Sequence, residues 1–364
     1  MRERPSVDRR TILLGGGTAI ASLAGCVSTS KTPPGSRGEA TTTSEESDDS
    51  SSTQLKAGGS STVYPITSKA ASVWNSNPPA DDEEYWGPSK YGIDTDERLA
   101  NYWASKYESF DAEGSSPPFK VTVGLSHSGT GLEKLKNGLI DIGNASAPVD
   151  AELPDLSDEE LDKFENHVVG VDAQPIVVSK EIYEAGVEKL TAEQVRKIYQ
   201  GEIENWSEID AYTGDDKEIQ AIGRAEGSGT DTAFRANMLG DPDAPMSGVD
   251  VRKGQNQQVK TIVAQSNNAI AYMALAFLTS ETPTVKLSFD GKVYERGKNL
   301  SEKGYPLSRD LHCYTYDGTS EMEAAYLRML INEFGQENFV KPSGYSMLTE
   351  KRRKNQLEKL PDTK

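Results

Sequence analysis

From Leu55 onward, short apolar runs alternate with segments in which apolar residues return every third or fourth position. The first pattern suits a strand buried on one or both faces, the second a helix with one buried stripe. Strands are expected at Phe119–Leu125, His167–Val178, Ile219–Gly223 and Ala269–Leu278. Helices are expected at Ile66–Asn75, Asp96–Ser109, Gly131–Asn137, Asp158–Asn166, Thr191–Tyr199, Thr230–Met238, Val259–Ala264 and Ser320–Phe334, several opened by a Ser, Thr or Asp that can cap the first turn. Strands interleaved with helices in this way indicate an α/β fold. Residues 76–118, rich in Pro, acids and aromatics without a clear strand period, read as an ordered insertion with one helix inside it.

The pattern is different before Leu55. Arg2, Arg4, Arg9 and Arg10 precede an apolar stretch from Thr11 to Gly25 that ends at Cys26. This stretch is shorter than the ~20 residues a bilayer-spanning helix needs, and a charged front with a small-residue end fits a cleaved export signal. Arg9-Arg10 followed by Thr-Ile-Leu is similar to a twin-arginine leader, and Leu23-Ala-Gly-Cys26 resembles a lipobox that would place a lipid on the Cys26 thiol. From Ser28 to about Gln54 the composition then collapses to Ser, Thr, Pro, Gly, Asp and Glu, which buries too little apolar surface to offset the entropy of ordering. The expected organisation is a leader at 1–25, a lipidated tether at 26–55, and a two-lobed body held on the outer face of a membrane.

Composition narrows the class further. With 57 acidic against 39 basic residues the formal net charge is −18, which argues against a groove for nucleic acid. Two cysteines almost a chain length apart and three scattered histidines supply neither a disulfide framework nor a metal cluster, so no metal or cofactor is expected.

The candidate chemistry lies in three turns. Gly58-Gly-Ser-Ser-Thr-Val63, Ser126-His-Ser-Gly-Thr-Gly131 and Arg224-Ala-Glu-Gly-Ser-Gly-Thr230 each place glycines and hydroxyl residues at the start of a helix. There, unpaired backbone N–H groups and the positive end of the helix dipole favour an anion, and Arg224 adds a fork suited to an oxyanion. None is a nucleotide P-loop or a dinucleotide fingerprint, and Gly227-Ser-Gly229 lacks the spacing of a nucleophile elbow.

Together with Asp141-Ile-Gly-Asn-Ala-Ser-Ala-Pro148, Leu190–Gly201, Asn205-Trp206 and Asn268-Ala-Ile-Ala-Tyr272, these turns appear in an order that resembles the phosphate-binding protein of the phosphate ABC transporter, over roughly residues 56–350. The resemblance implies a type II periplasmic-binding-protein fold, with lobe one at 56–170 plus 275–364 and lobe two at 171–274, hinged by crossings near Val168–Val178 and Ala269–Phe277. It implies phosphate held by Ser61, Thr62 and Val63 of the first turn, Ser128 of the second, and Arg224, Ser228, Gly229 and Thr230 of the third. Arg224 would be the one full positive charge, steadied by Glu226. It also implies a monomer that docks on permease subunits and performs no chemistry on its ligand.

The sequence departs from the family at one point. Where many members carry an aspartate that accepts the proton of phosphate and so excludes sulfate, this chain has Ser146, with Asn144 and Asp141 nearby. A receptor for sulfate, molybdate or tungstate therefore stays open as an alternative, as does an exported hydrolase.

Overall fold

The structure is a computed structural model describing residues 54–110, 113–300 and 304–364. The leader at 1–25, Cys26 and the tether as far as residue 53 lie outside the described residues. In chain order the strands are β1 (Gln54–Ser60), β2 (Lys120–Ser126), β3 (Ile142–Ala145), β4 (Phe164–Ala173), β5 (Ile176–Val178), β6 (Lys189–Thr191), β7 (Gln220–Arg224), β8 (Val251–Lys253), β9 (Ala269–Tyr272), β10 (Lys286–Phe289), β11 (Lys292–Tyr294) and β12 (Ser308–Tyr316). The principal helices are α1 (Tyr64–Ser76), α2 (Leu99–Ala104), α3 (Ser128–Lys136), α4 (Val149–Glu152), α5 (Asp158–Leu161), α6 (Lys180–Glu184), α7 (Ala192–Gln200), α8 (Gly229–Phe234), α9 (Asn256–Gln265) and α10 (Glu321–Ile331).

β1 begins inside the stretch expected as tether. Leu55 is fully buried between exposed Gln54 and Lys56, so strand alternation starts before the polar composition ends. Two sheets carry the α/β class. The first has the order β2-β1-β3-β12-β4, with β1 parallel to β2 and β3, and β12 antiparallel to both of its neighbours. The second has the order β5-β9-β7-β8, with β7 parallel to β8 and β9. A third, small sheet joins β11, β10 and β6.

Each of the two larger sheets has its own core. Around the first, α1 buries Ile66, Ala70, Val73 and Trp74, and the Trp74 indole donates to the Phe119 carbonyl at 2.9 Å. The 76–118 segment contributes Trp86, Trp103 and Tyr107 to this core, its α2 being shorter than the helix expected at 96–109. Around the second, α7 buries Val195, Ile198 and Tyr199, starts at a Thr191/Gln194 capping box and stops at Gly201, whose φ of 78° suits a residue without Cβ.

The strand expected over 167–178 is two strands in different sheets. Pro175 lacks the N–H a ladder needs, so pairing stops at Ala173 and resumes at Ile176 on the other sheet. The return differs more. The 3-10 turn Leu275–Phe277 reaches the first core, but Val285, Leu287, Tyr294, Leu300, Tyr305 and Leu307 pack in the second. The chain joins the first sheet again only at Ser308, so part of the 275–364 stretch expected in lobe one belongs with the second core. The two connections lie side by side, with the Gln174 N–H donating to the Leu307 carbonyl at 3.0 Å.

Candidate functional site

Parallel strands β1, β2, β3 and β7 all end at one place, and each runs directly into a polar turn and then a helix: α1, α3, α4 and α8 respectively. The carboxyl ends of such strands are where α/β sheets gather ligands, because the turns and helix N-termini that follow present backbone N–H groups. Close packing makes this convergence possible. A Cβ on Gly131 of α3 would come within 2.6 Å of the Gly59 Cα, so the glycines allow the first turn of α3 to lie against β1.

The structure brings the hydroxyl residues of the three predicted turns together. Thr62 and Thr230 approach at 3.1 Å between their Oγ1 atoms. The Ser128 hydroxyl lies 3.4 Å from that of Ser146 and accepts from the N–H groups of Ser146 and Gly229 at 3.2 and 3.3 Å. Ser60 donates to Ser146 at 3.0 Å. Val63 is the N-cap of α1 and is fully buried, and the carbonyl of Ser228, the N-cap of α8, accepts from the amides of Asp231 and Thr232. Ser61 accepts from both Arg224 and Asn256 at 3.3 Å.

Arg224 is 2% exposed and is fixed by carbonyls, donating to Lys253 through Nε at 3.1 Å and to Gly254 through Nη2 at 2.7 Å. Its Nη1 is buried without a partner. Glu226, expected to steady it, is instead exposed beside Gly227, whose φ is 72°, and the Arg224 side chain is held by Ser61, Lys253 and Gly254. Burial pulls the Arg224 guanidinium down to about 10, which leaves it charged at neutral pH.

Arg224 is not the only cation here. Arg309, on β12, donates through Nη2 to Thr62 and Thr230 at 3.2 and 3.0 Å, and through Nη1 to the carbonyls of Ser146 and Gly229 at 3.2 and 2.8 Å. It also forms a buried ion pair with Asp172 of β4 at 2.8 Å. Burial pushes the Asp172 carboxyl up, and Arg309 and the Leu275 amide pull it back. The two guanidiniums therefore differ: Arg309 is charge-compensated, while Arg224 has no carboxylate paired to it among the described residues.

Sequence reasoning passed over four groups at this site: Arg309, Asp172, Asn256 and Glu152. A single Asp within the apolar run of β4, and an Arg at an inward position of β12, were the available signals for the buried pair. Asn256, at the start of α9, donates to Ser61 and to Thr62 at 3.3 and 3.1 Å. Of the candidates near Ser146, Asp141 accepts from the Lys56 amide at 2.6 Å and Asn144 is engaged with Thr67 and Cys313. A cavity of about 1170 Å³, lined in part by Pro148, Thr232, Tyr305 and Arg309, opens beside the cradle.

A family model described as the PBP superfamily domain matches residues 92–335. The chain is 31% identical over 235 residues to the phosphate-binding protein PstS of Bacillus subtilis, covering 65% of this chain and 73% of that one. Among solved structures, a Clostridium perfringens chain assigned as a phosphate ABC transporter substrate-binding protein, with bound phosphate, superposes with a TM-score of 0.59 at 21% identity over 81% of this chain and all of that one. An ABC-type phosphate transport receptor from Vibrio cholerae superposes with a TM-score of 0.55 at 20% identity, again over 81% of this chain and all of that one. These two likenesses are of fold, the type II periplasmic-binding-protein arrangement. With the family model across two thirds of its length and the PstS likeness over most of the relative, the chain belongs to the PBP superfamily, among the phosphate-binding proteins of the PstS kind.

Proposed function

We propose that the chain is an extracytoplasmic receptor that encloses inorganic phosphate between its two larger sheets and delivers it to the permease of an ABC transporter. The observation that carries this reading is the unpartnered Nη1 of Arg224, a buried cationic donor on the guanidinium whose Nη2 donates to Ser61 of the first turn. Buried donors are almost always satisfied, and here the missing partner has the character of an anionic oxygen. Ser61, Thr62, Ser128, Ser228 and Thr230 would donate hydroxyl protons, and Val63, Gly229 and Thr230 backbone N–H groups, with Ser146 at the floor. The PstS relatives support phosphate as the anion. The role is binding without turnover, by a monomer closing about its ligand.

Calorimetric titration with phosphate, then sulfate, molybdate and tungstate tests the assignment, and tightest binding of any of the latter three overturns it. The protein used should retain Gln54 and Leu55, since a body cut at residue 56 would lose the first two residues of β1. We also propose twin-arginine export and a lipid anchor on Cys26. Cys313 is fully buried on β12 with its thiol directed to Asn144, a poor site for a lipid. Cys26→Ser should release the protein into the medium and Cys313→Ser should not; retention of both variants in the membrane fraction overturns the anchor.

A further inference from the structure

Glu152 closes α4, the single turn that follows β3, and it is 8% exposed. Both of its carboxyl oxygens are buried and neither has a hydrogen-bond partner. Their place is informative: a Cβ built on Gly229 would meet Ser128 Oγ at 2.6 Å, Ser146 Oγ at 2.7 Å and Glu152 Oε1 at 2.8 Å. The carboxyl therefore faces the same point as the two serine hydroxyls on the cradle floor. Arg309 and Tyr314 from β12, Asp231 from α8 and Arg224 from the end of β7 are the charged and titratable groups around it, while the Thr232 hydroxyl and the Gly129 amide face it without closing a well-formed hydrogen bond.

A buried carboxyl with no partner is costly in either protonation state, more so when ionised. Burial accordingly pushes Glu152 up to about 8, leaving it largely protonated at neutral pH. In that form it can donate to an anion oxygen. Once ionised it can only accept, and then it tolerates only an anion that brings a proton of its own.

We propose that Glu152 is the specificity-determining residue of the cradle, sharing one proton with the bound oxyanion. Phosphate, which carries a proton, is retained whether or not Glu152 is ionised. Sulfate, which carries none, is retained only while Glu152 supplies it. This rests on the reading of the cradle as a phosphate site, and it assigns to α4 the role that the sequence suggested for Ser146. Ser146 then serves as a hydroxyl beside the carboxyl rather than as the group that reads the proton.

The test is titration of the full chain with inorganic phosphate and with sulfate at about pH 6 and about pH 9, on either side of the value to which burial raises Glu152. In the native protein sulfate binding should weaken about tenfold or more at the higher pH while phosphate binding persists. In Glu152→Gln, whose amide donates at any pH, sulfate affinity should become insensitive to pH and the phosphate-over-sulfate ratio at about pH 9 should fall about tenfold or more. A native ratio that does not change with pH overturns the proposal, without recourse to the variant, as does an unaltered profile in a folded Glu152→Gln. If the native protein binds neither anion at either pH, the phosphate reading itself fails and takes this proposal with it.

Discussion

Single atoms decide what the cradle can hold. Arg224 contributes the cation that has no carboxylate paired to it among the described residues, so Arg224→Ala should weaken phosphate binding by about tenfold to a hundredfold, the range for losing a charge-assisted contact. Calorimetry checks this, and an unchanged affinity would remove Arg224 from the site. Gly229→Ala should be more damaging than its size suggests. The added methyl falls on Ser128, Ser146 and Glu152 together, at the point where their polar atoms converge. Phosphate binding should be lost while the far-ultraviolet circular dichroism stays native, since alanine is at least as good a helix former as glycine. At this scale the sequence was most legible where glycine and hydroxyl residues stand in short runs, as in Arg224–Thr230. Arg309 and Glu152 were hidden because their importance comes from burial, which neighbouring residues in the chain do not reveal.

Among the elements, legibility followed periodicity. The helices around Ile66, Val195 and Val259 carry clear apolar stripes and appear close to their expected limits as α1, α7 and α9. The run 167–178 is mostly apolar, and Pro175 is the residue that signals it serves two sheets. The short strands β3, β6, β8, β10 and β11 hold three or four residues each, too few for a period of two to stand out. β12 was missed because both of its faces are buried and it carries Arg309, His312 and Thr315 among its apolar residues. The capping box of α7 gives a clean test of separability: Thr191→Ala should lower stability by about 1 kcal/mol in denaturant unfolding. Phosphate affinity should not change, since the cap is exposed and makes no contact with the cradle turns.

For the whole molecule, burial of titratable groups ties stability to pH with two opposite signs. Glu152 is raised from 4.5 to about 8, so its contribution is complete below the unfolded value and is lost as pH rises through about 8. His167 is lowered by burial from 6.5 to about 4, so its contribution is complete above 6.5 and drains away as pH falls toward about 4. The excess thermal stability of Glu152→Gln over the native, ligand-free protein should therefore grow from about pH 5 to about pH 9, and a constant difference would contradict the burial effect. The strand order has a consequence for synthesis. β3 lacks one flanking partner until β12 arrives, with Ala145 opposite His312, and that same strand carries Arg309. A ribosome-bound chain stopped before Ser308 thus has an open sheet edge and half of its guanidinium pair, with Asp172 left uncompensated. Completion of the sheet, neutralisation of Asp172 and arrival of the second arginine are one event, late in translation, and a prematurely terminated product should be met by proteases rather than by ligand.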